Sequence, residues 1–215
     1  MSQLVADDME EAMPIFKHSG KLLFFAHVPK CAGTSLEDYL IERFGPAALL
    51  NRRHPPGNKH NWSKTSPQHI PAQQLAKLFP EGFFDAGFAV VRDPVARVCS
   101  AFHYHQSQRK KIPKEETLES WLPRIKSFDK GEHARFDDHF RTQSSFVPDW
   151  CRIFKLEDGL DAFLIWLDNW SGTTHPASIG HTLVGKYQRS PVTPAINEFV
   201  RLYYADDYNR FEFNF

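Results

Sequence analysis

What this 215-residue chain lacks is the first guide to what it is. It has no excess of either charge, with 26 Lys and Arg against 26 Asp and Glu. A generic nucleic-acid binder carries a basic surplus, so bulk charge argues against nucleic acid as a partner. Any anionic ligand has to be held by a local site. Long apolar runs are also missing. Runs such as LLFFAHV (22–28) and FAVV (88–91) fall far short of the roughly 20 residues that span a bilayer. Residues 1–20 carry Asp7, Asp8, Glu10 and Glu11 in place of the basic start and apolar stretch of a secretion signal. The three cysteines, Cys31, Cys99 and Cys151, are odd in number and contain no CxxC pair. That argues against a disulfide framework or a zinc site and fits a reducing compartment. The expectation is a cytoplasmic protein with no membrane span and no bound metal.

What is present is ordinary globular composition, 41% hydrophobic and 24% charged. The length suits one α/β domain, expected over 21–215 with 1–20 as a flexible N-terminal segment. Lys21–Val28 is a continuous apolar run, the pattern of a strand buried on both faces. After the turn PKCAG, the spacing of Leu36, Tyr39, Leu40 and Phe44 predicts a helix. Phe88–Val91 is a second such strand, stopped by Arg92-Asp93-Pro94, and Val95, Val98, Cys99 and Phe102 mark one face of the next helix. CRIFKL (151–156) is a third short strand. KEETLESWLPRIKSF (114–128) is the best helix candidate of the middle, and two amphipathic helices close the chain. Alternating strands and helices predict a single P-loop-like domain, a central parallel sheet flanked by helices on both faces.

The loop HVPKCAGTS (27–35) has the parts of an anion site. A buried strand leads to a turn containing Gly33, where backbone can approach a ligand. Thr34 and Ser35 then open a helix whose N–H groups and dipole favour a phosphate-like group, and Lys30 adds full charge. Against the Walker pattern GxxxxGK[ST], Thr34 stands where the lysine belongs and Val28 where the first glycine belongs. That disfavours a magnesium-dependent NTPase or kinase. The same residues also suit a plain βα turn with a solvent-facing lysine. At the second strand end, Arg92 sits on the rim where ligands collect in open parallel sheets, with Arg97 and Ser100 following on the helix. An arginine fork plus a hydroxyl suits a second phosphate; pairing of both arginines with surface carboxylates such as Asp93 is the plainer alternative.

Taken together, HVPKCAGTSL resembles the 5′-phosphosulfate loop of the carbohydrate sulfotransferase superfamily, written HIPKTGGTSL. FAVVRDPVARVCSAFHY resembles that superfamily's 3′-phosphate motif, an apolar strand followed by RDPxxRxxSxY. RTQSSFV (141–147), CRIFKLEDGLDAFLIWL (151–167) and LYYADDYNRFEF (202–213) add to a likeness covering about 21–213. It is nearest to bacterial members and to the uronyl and heparan 2-O-sulfotransferases. The resemblance implies PAPS (3′-phosphoadenosine 5′-phosphosulfate) as donor, PAP as product, no metal, and a hydroxyl acceptor on a glycan or glycolipid. It assigns the 5′-phosphosulfate to Lys30, Cys31, Ala32, Gly33, Thr34 and Ser35, and the 3′-phosphate to Arg92 and Ser100. Lys186 and Arg189, in GKYQRSP, stand where the family closes a basic loop over the nucleotide. Cys31 and Ala32 depart from the usual Thr and Gly, and alanine enters positive φ less readily than glycine. Since Golgi relatives carry a membrane anchor, a bacterial cytosolic setting is expected.

Sulfuryl transfer needs a group to take the acceptor's proton, and histidine is the usual choice. His69, in QHIPAQQLAKLF, is the candidate base, matching the family's histidine ahead of the same helix, and Lys30 is placed at the departing phosphate. His54 and a carboxylate stay open as alternatives, and His27 reads as a buttress of the turn. Arg141 and Gln143 suit either the acceptor or the scaffold. The competing functions are a divergent P-loop kinase and a nucleotide-binding protein that has lost turnover.

Overall fold

The computed structural model describes residues 14–48, 63–176, 179 and 191–214. Four strands form one sheet in the order β1 (Ile15–His18), β2 (Lys21–Ala26), β3 (Ala86–Val91) and β4 (Arg152–Lys155). β2, β3 and β4 run parallel, and β1 is an antiparallel edge strand. The helices are α1 (Gly33–Phe44), α2 (Ala72–Leu78), α3 (Pro94–His103), α4 (Leu118–Trp121), α5 (Lys130–Arg135), α6 (Asp161–Ser171), α7 (Pro194–Tyr203) and α8 (Ala205–Phe211).

The continuous apolar runs are explained by burial on both faces. Leu23, Phe25, Phe88 and Val90 point to one side, where Leu36 and Leu40 of α1 and Phe163 and Leu167 of α6 cover them. Phe24, Ala26, Ala89 and Val91 point to the other, under Leu75 of α2, Phe146, Val147 and Phe211 of α8. A third cluster joins Val98, Ala101 and Phe102 of α3 to Trp121, Phe140, and Ile196 and Val200 of α7. The α/β architecture with both faces covered is as expected.

Two expectations need correcting. The domain begins before residue 21: β1 pairs with β2 through the two-residue turn Ser19-Gly20, at φ 49° and 82°. Positive φ at both turn positions matches the twist of a tight hairpin, so the sheet is mixed and 15–20 belongs to the fold. The helix expected over 114–128 is only the single turn α4, followed by a 3-10 stretch over Leu122–Ser127. Pro123 has no N–H to continue the α-helical ladder and breaks it there. Among the described residues no helix is long and apolar enough to cross a membrane.

Candidate active site

At the end of β2 the chain bends sharply. Lys30 and Ala32 both take left-handed backbone, at φ 71° and 62°, which costs a non-glycine residue about 1–2 kcal/mol. Gly33 is required for a different reason. A Cβ there would lie 1.7 Å from His27 Nε2, so the helix start closes directly onto the His27 ring. That ring stacks on Phe25 (centroids 5.3 Å apart, 10° between planes). Its Nδ1 lies 2.8 Å from Glu37 Oε1 on α1, off hydrogen-bond alignment. His27 is thus the buttress of the turn. The N-terminus of α1 has no side-chain cap and no acidic residue in its first turn, the condition in which a helix start suits an anion.

Cys31 faces the opposite way. Its buried thiol reaches Gln143 Oε1 (3.4 Å), and burial pushes it up to about 12. As a donor-site residue Cys31 has only its backbone to offer. Gln143, fully buried, also accepts from Arg92 N (2.9 Å) and donates to Arg92 O (2.8 Å). It staples the two strand ends together and is scaffold, not an acceptor contact. Asp207 of α8 in turn accepts from Gln143 N and Ser144 N, each at 2.8 Å.

At the end of β3, Asp93 does not pair with either arginine. Its carboxylate caps α3 by accepting from Ala96 N at 2.8 Å, with Pro94 at the first helical position. Arg97 is fully buried and donates to the carbonyls of Pro29 (3.0 Å), Arg141 (2.8 Å) and His139 (3.2 Å). It clamps the bend to the 139–141 segment and has no fork left for a phosphate, which corrects its reading as half of a phosphate fork. Arg92 is half-buried, and among the described residues its guanidinium donates to Lys30 O (3.3 Å). Ser100 sits half-buried on α3, and no hydrogen bond joins it to Arg92 or Lys30 among the described residues.

Lys30 places its ammonium 3.9 Å from the centre of the Tyr104 ring. Burial, then Arg92, Arg109 and Arg97 beside it, bring it down to about 8. Arg109 lies over the same ring at 5.7 Å. Sequence reasoning missed both residues. Tyr104 opens and Arg109 follows the π-helical turn Tyr104–Gln108 after α3, an irregularity frequent at functional sites but without a sequence signature.

His69 is buried at the end of the 3-10 turn Pro67–His69. Its ring meets His27 edge to face, centroids 5.0 Å apart, which brings it to the bend. Its Nδ1 lies 3.0 Å from Asp137 O and 3.1 Å from Asp137 Oδ2. Burial disfavours the imidazolium, but the Asp137 charge and hydrogen bond outweigh it, and His69 is raised above the ordinary value of 6.5. Beyond Asp137 lie His139, with Nε2 at 3.9 Å from Oδ2, and His105, 3.0 Å from His139. Tyr104 packs on both of these rings at 5.2 Å. Lys30, Tyr104, His139, Asp137, His69 and His27 therefore form one continuous chain of contacts. His69, Asp137 and His139 offer three atoms within 4.8 Å of one another, enough to consider a metal. The carboxylate, however, already accepts from Ser66 N (2.6 Å), Ser66 Oγ (2.8 Å) and His69. A hydrogen-bonded cluster fits these donors better than a metal set.

A groove of about 1200 Å³ opens between 63–78 and 128–141. Pro67 and Ile70, which bracket His69, are among its walls, as are Lys64, Lys77, Lys130 and Arg141. Arg141 is paired with Asp138 at 2.6 Å. Lys186, Tyr187, Arg189 and His54, with Arg52, Arg53, Lys59 and His60, lie outside the described residues.

Fold and site together define an α/β protein whose uncapped helix start, cations and buried histidine meet at the ends of parallel strands. A model of the sulfotransferase family matches residues 15–214, and the chain belongs to that family. No curated protein matches the sequence. A solved sulfotransferase from Alicyclobacillus acidocaldarius is similar at 14% identity, with a TM-score of 0.39, over 65% of this chain and 57% of that one.

Proposed function

We propose that this chain moves the sulfuryl group of PAPS to a hydroxyl of an acceptor, a carbohydrate in a glycan or glycolipid. The bend from Lys30 to Ser35 holds the 5′-phosphosulfate, through the α1 N-terminus and the Lys30 ammonium. Arg92 and Ser100 hold the 3′-phosphate, with Arg109 as a further cation beside Lys30. In the transfer, the acceptor oxygen bonds to sulfur as the bond from sulfur to the bridging phosphate oxygen breaks. The electron pair of that bond stays on PAP, where Lys30 stabilises it. The acceptor proton passes to His69 Nε2 and then to water.

The observation that carries this reading is the edge-to-face contact of His69 on His27, the ring against which Gly33 closes. That contact puts the His69 ring beside the bend, which supports His69 as the base. The groove past Pro67 and Ile70 is the acceptor's path. A transfer assay with radiolabelled PAPS across a panel of glycans and small alcohols tests the reading. Wild type labels a hydroxyl acceptor. His69→Ala keeps its affinity for PAP and loses turnover by on the order of 10²-fold or more. Unchanged turnover in that variant removes His69 from the mechanism, and a wild type that binds PAP but labels nothing in the panel contradicts the transferase reading.

A further inference from the structure

The segment facing His69 is strained. Asp137 and Asp138, successive and neither of them glycine, both take left-handed backbone at φ 54° and 59°. Such outliers persist only where surrounding contacts enforce them, and they concentrate at functional sites. Here the enforcing contacts are specific. Asp138 N donates to His133 O (2.8 Å), and the Asp138 carboxylate accepts from Arg141 Nε (2.6 Å). The Asp137 carboxylate, buried, is fixed by Ser66 N and Oγ. The consequence is that one residue aims two oxygens, its carbonyl and its carboxylate, at a single nitrogen, His69 Nδ1.

We propose that Asp137 is the positioning residue of the base: it holds the hydrogen of His69 on Nδ1, fixes the ring, and leaves Nε2 as the nitrogen that takes the acceptor's proton. Two oxygens can face Nδ1 only if that nitrogen carries hydrogen, so the other tautomer is excluded while Asp137 is ionised. Burial and the neighbouring His105 and His69 push His139 well below the ordinary histidine range. Burial and Lys111 bring His105 down to about 3. Both rings stay neutral near pH 7, and Asp137 keeps its charge for His69. The other groups around His69 are His27 at the end of β2, Glu37 on α1, and Asp138 and His139 beside Asp137. Glu37 and Asp138 act in the same direction as Asp137 but more weakly.

This inference rests on His69 as the base, and its test is arranged to separate the two. The full chain, labelled with nitrogen-15 in histidine, is titrated by NMR as wild type, Asp137→Asn and Ser66→Ala, and the same proteins are assayed for transfer and for PAP binding. In wild type, His69 shows its hydrogen on Nδ1 when neutral and titrates above 6.5. In Asp137→Asn the titration moves to lower pH, the acid limb of the kcat profile moves with it, kcat falls on the order of 10²-fold, and PAP affinity is unchanged. Ser66→Ala moves both in the same direction by less. An Nε2–H tautomer in wild type, or a His69 titration unmoved in a folded Asp137→Asn, overturns the proposal. Should Asp137→Asn not fold, the wild-type tautomer and Ser66→Ala still decide it. A correct tautomer and shift without any transfer leaves the pair standing and contradicts the transferase reading instead.

Discussion

The chain contains two strand–turn–helix units of the same topology, β2 into α1 and β3 into α3, and they present opposite helix starts. α3 is closed: Asp93 caps it, Pro94 occupies its first position, and a carboxylate already sits at the positive end of its dipole. α1 is open, with Ala32 in a left-handed cap position that offers no side-chain acceptor. An anion at α1 meets backbone and dipole, whereas an anion near α3 must be held by side chains such as Arg92 and Ser100. One fold unit repeated thus yields two different helix starts, and under the proposed function two ways to hold a phosphate. The lesson is that cap chemistry, more than topology, decides where a helix start is available.

Breaking the open unit has the largest expected effect. Lys30→Ala removes the charge at the departing phosphate and lowers turnover on the order of 10²–10³-fold, read in the radiolabel assay. The pH dependence sharpens this. Lys30 loses its proton as pH rises through about 8, so kcat/KM for the donor falls above that pH, and Lys30→Arg moves the fall to higher pH. Next in size is Arg92→Ala. A charge-assisted hydrogen bond contributes about 1.5–3 kcal/mol, so PAP affinity drops on the order of 10–10²-fold in calorimetry. Affinity for AMP, which lacks the 3′-phosphate, stays the same.

Smaller effects fall on stability. Asp93→Ala uncaps α3 and costs about 1 kcal/mol in urea unfolding, with little change in PAP affinity if side chains hold the second phosphate. Ala32→Gly relieves left-handed backbone at the bend. It stabilises the fold by up to about 1 kcal/mol, less than the steric cost removed because glycine also gains freedom in the unfolded chain. A loss of stability in Ala32→Gly would show that the bend is not strained.

The features legible in the sequence were those with local signatures. Apolar runs announced β2 and β3 because both faces of the sheet are covered, and Asp93-Pro94 announced the start of α3. Ala32 departs from the glycine of the family loop, and its φ of 62° is where the strain lies. The features that were not legible depend on contacts distant in the chain. Arg97 reads as an available cation in the sequence, whereas in the fold it donates to the carbonyls of Pro29, His139 and Arg141. Asp137 lies 68 residues from His69, and no local pattern in the sequence pairs the two. β1 escaped because Ser-Gly is a weaker hairpin signal than Asn-Gly or Asp-Gly.

The most direct measurement of the two-anion account is a calorimetric titration of the wild-type chain and Arg92→Ala with PAP, AMP and magnesium ATP. The account predicts PAP as the tightest ligand, AMP weaker, and the gap between them closed in Arg92→Ala. Magnesium ATP binding more tightly than PAP, or a PAP preference that survives loss of Arg92, would contradict it.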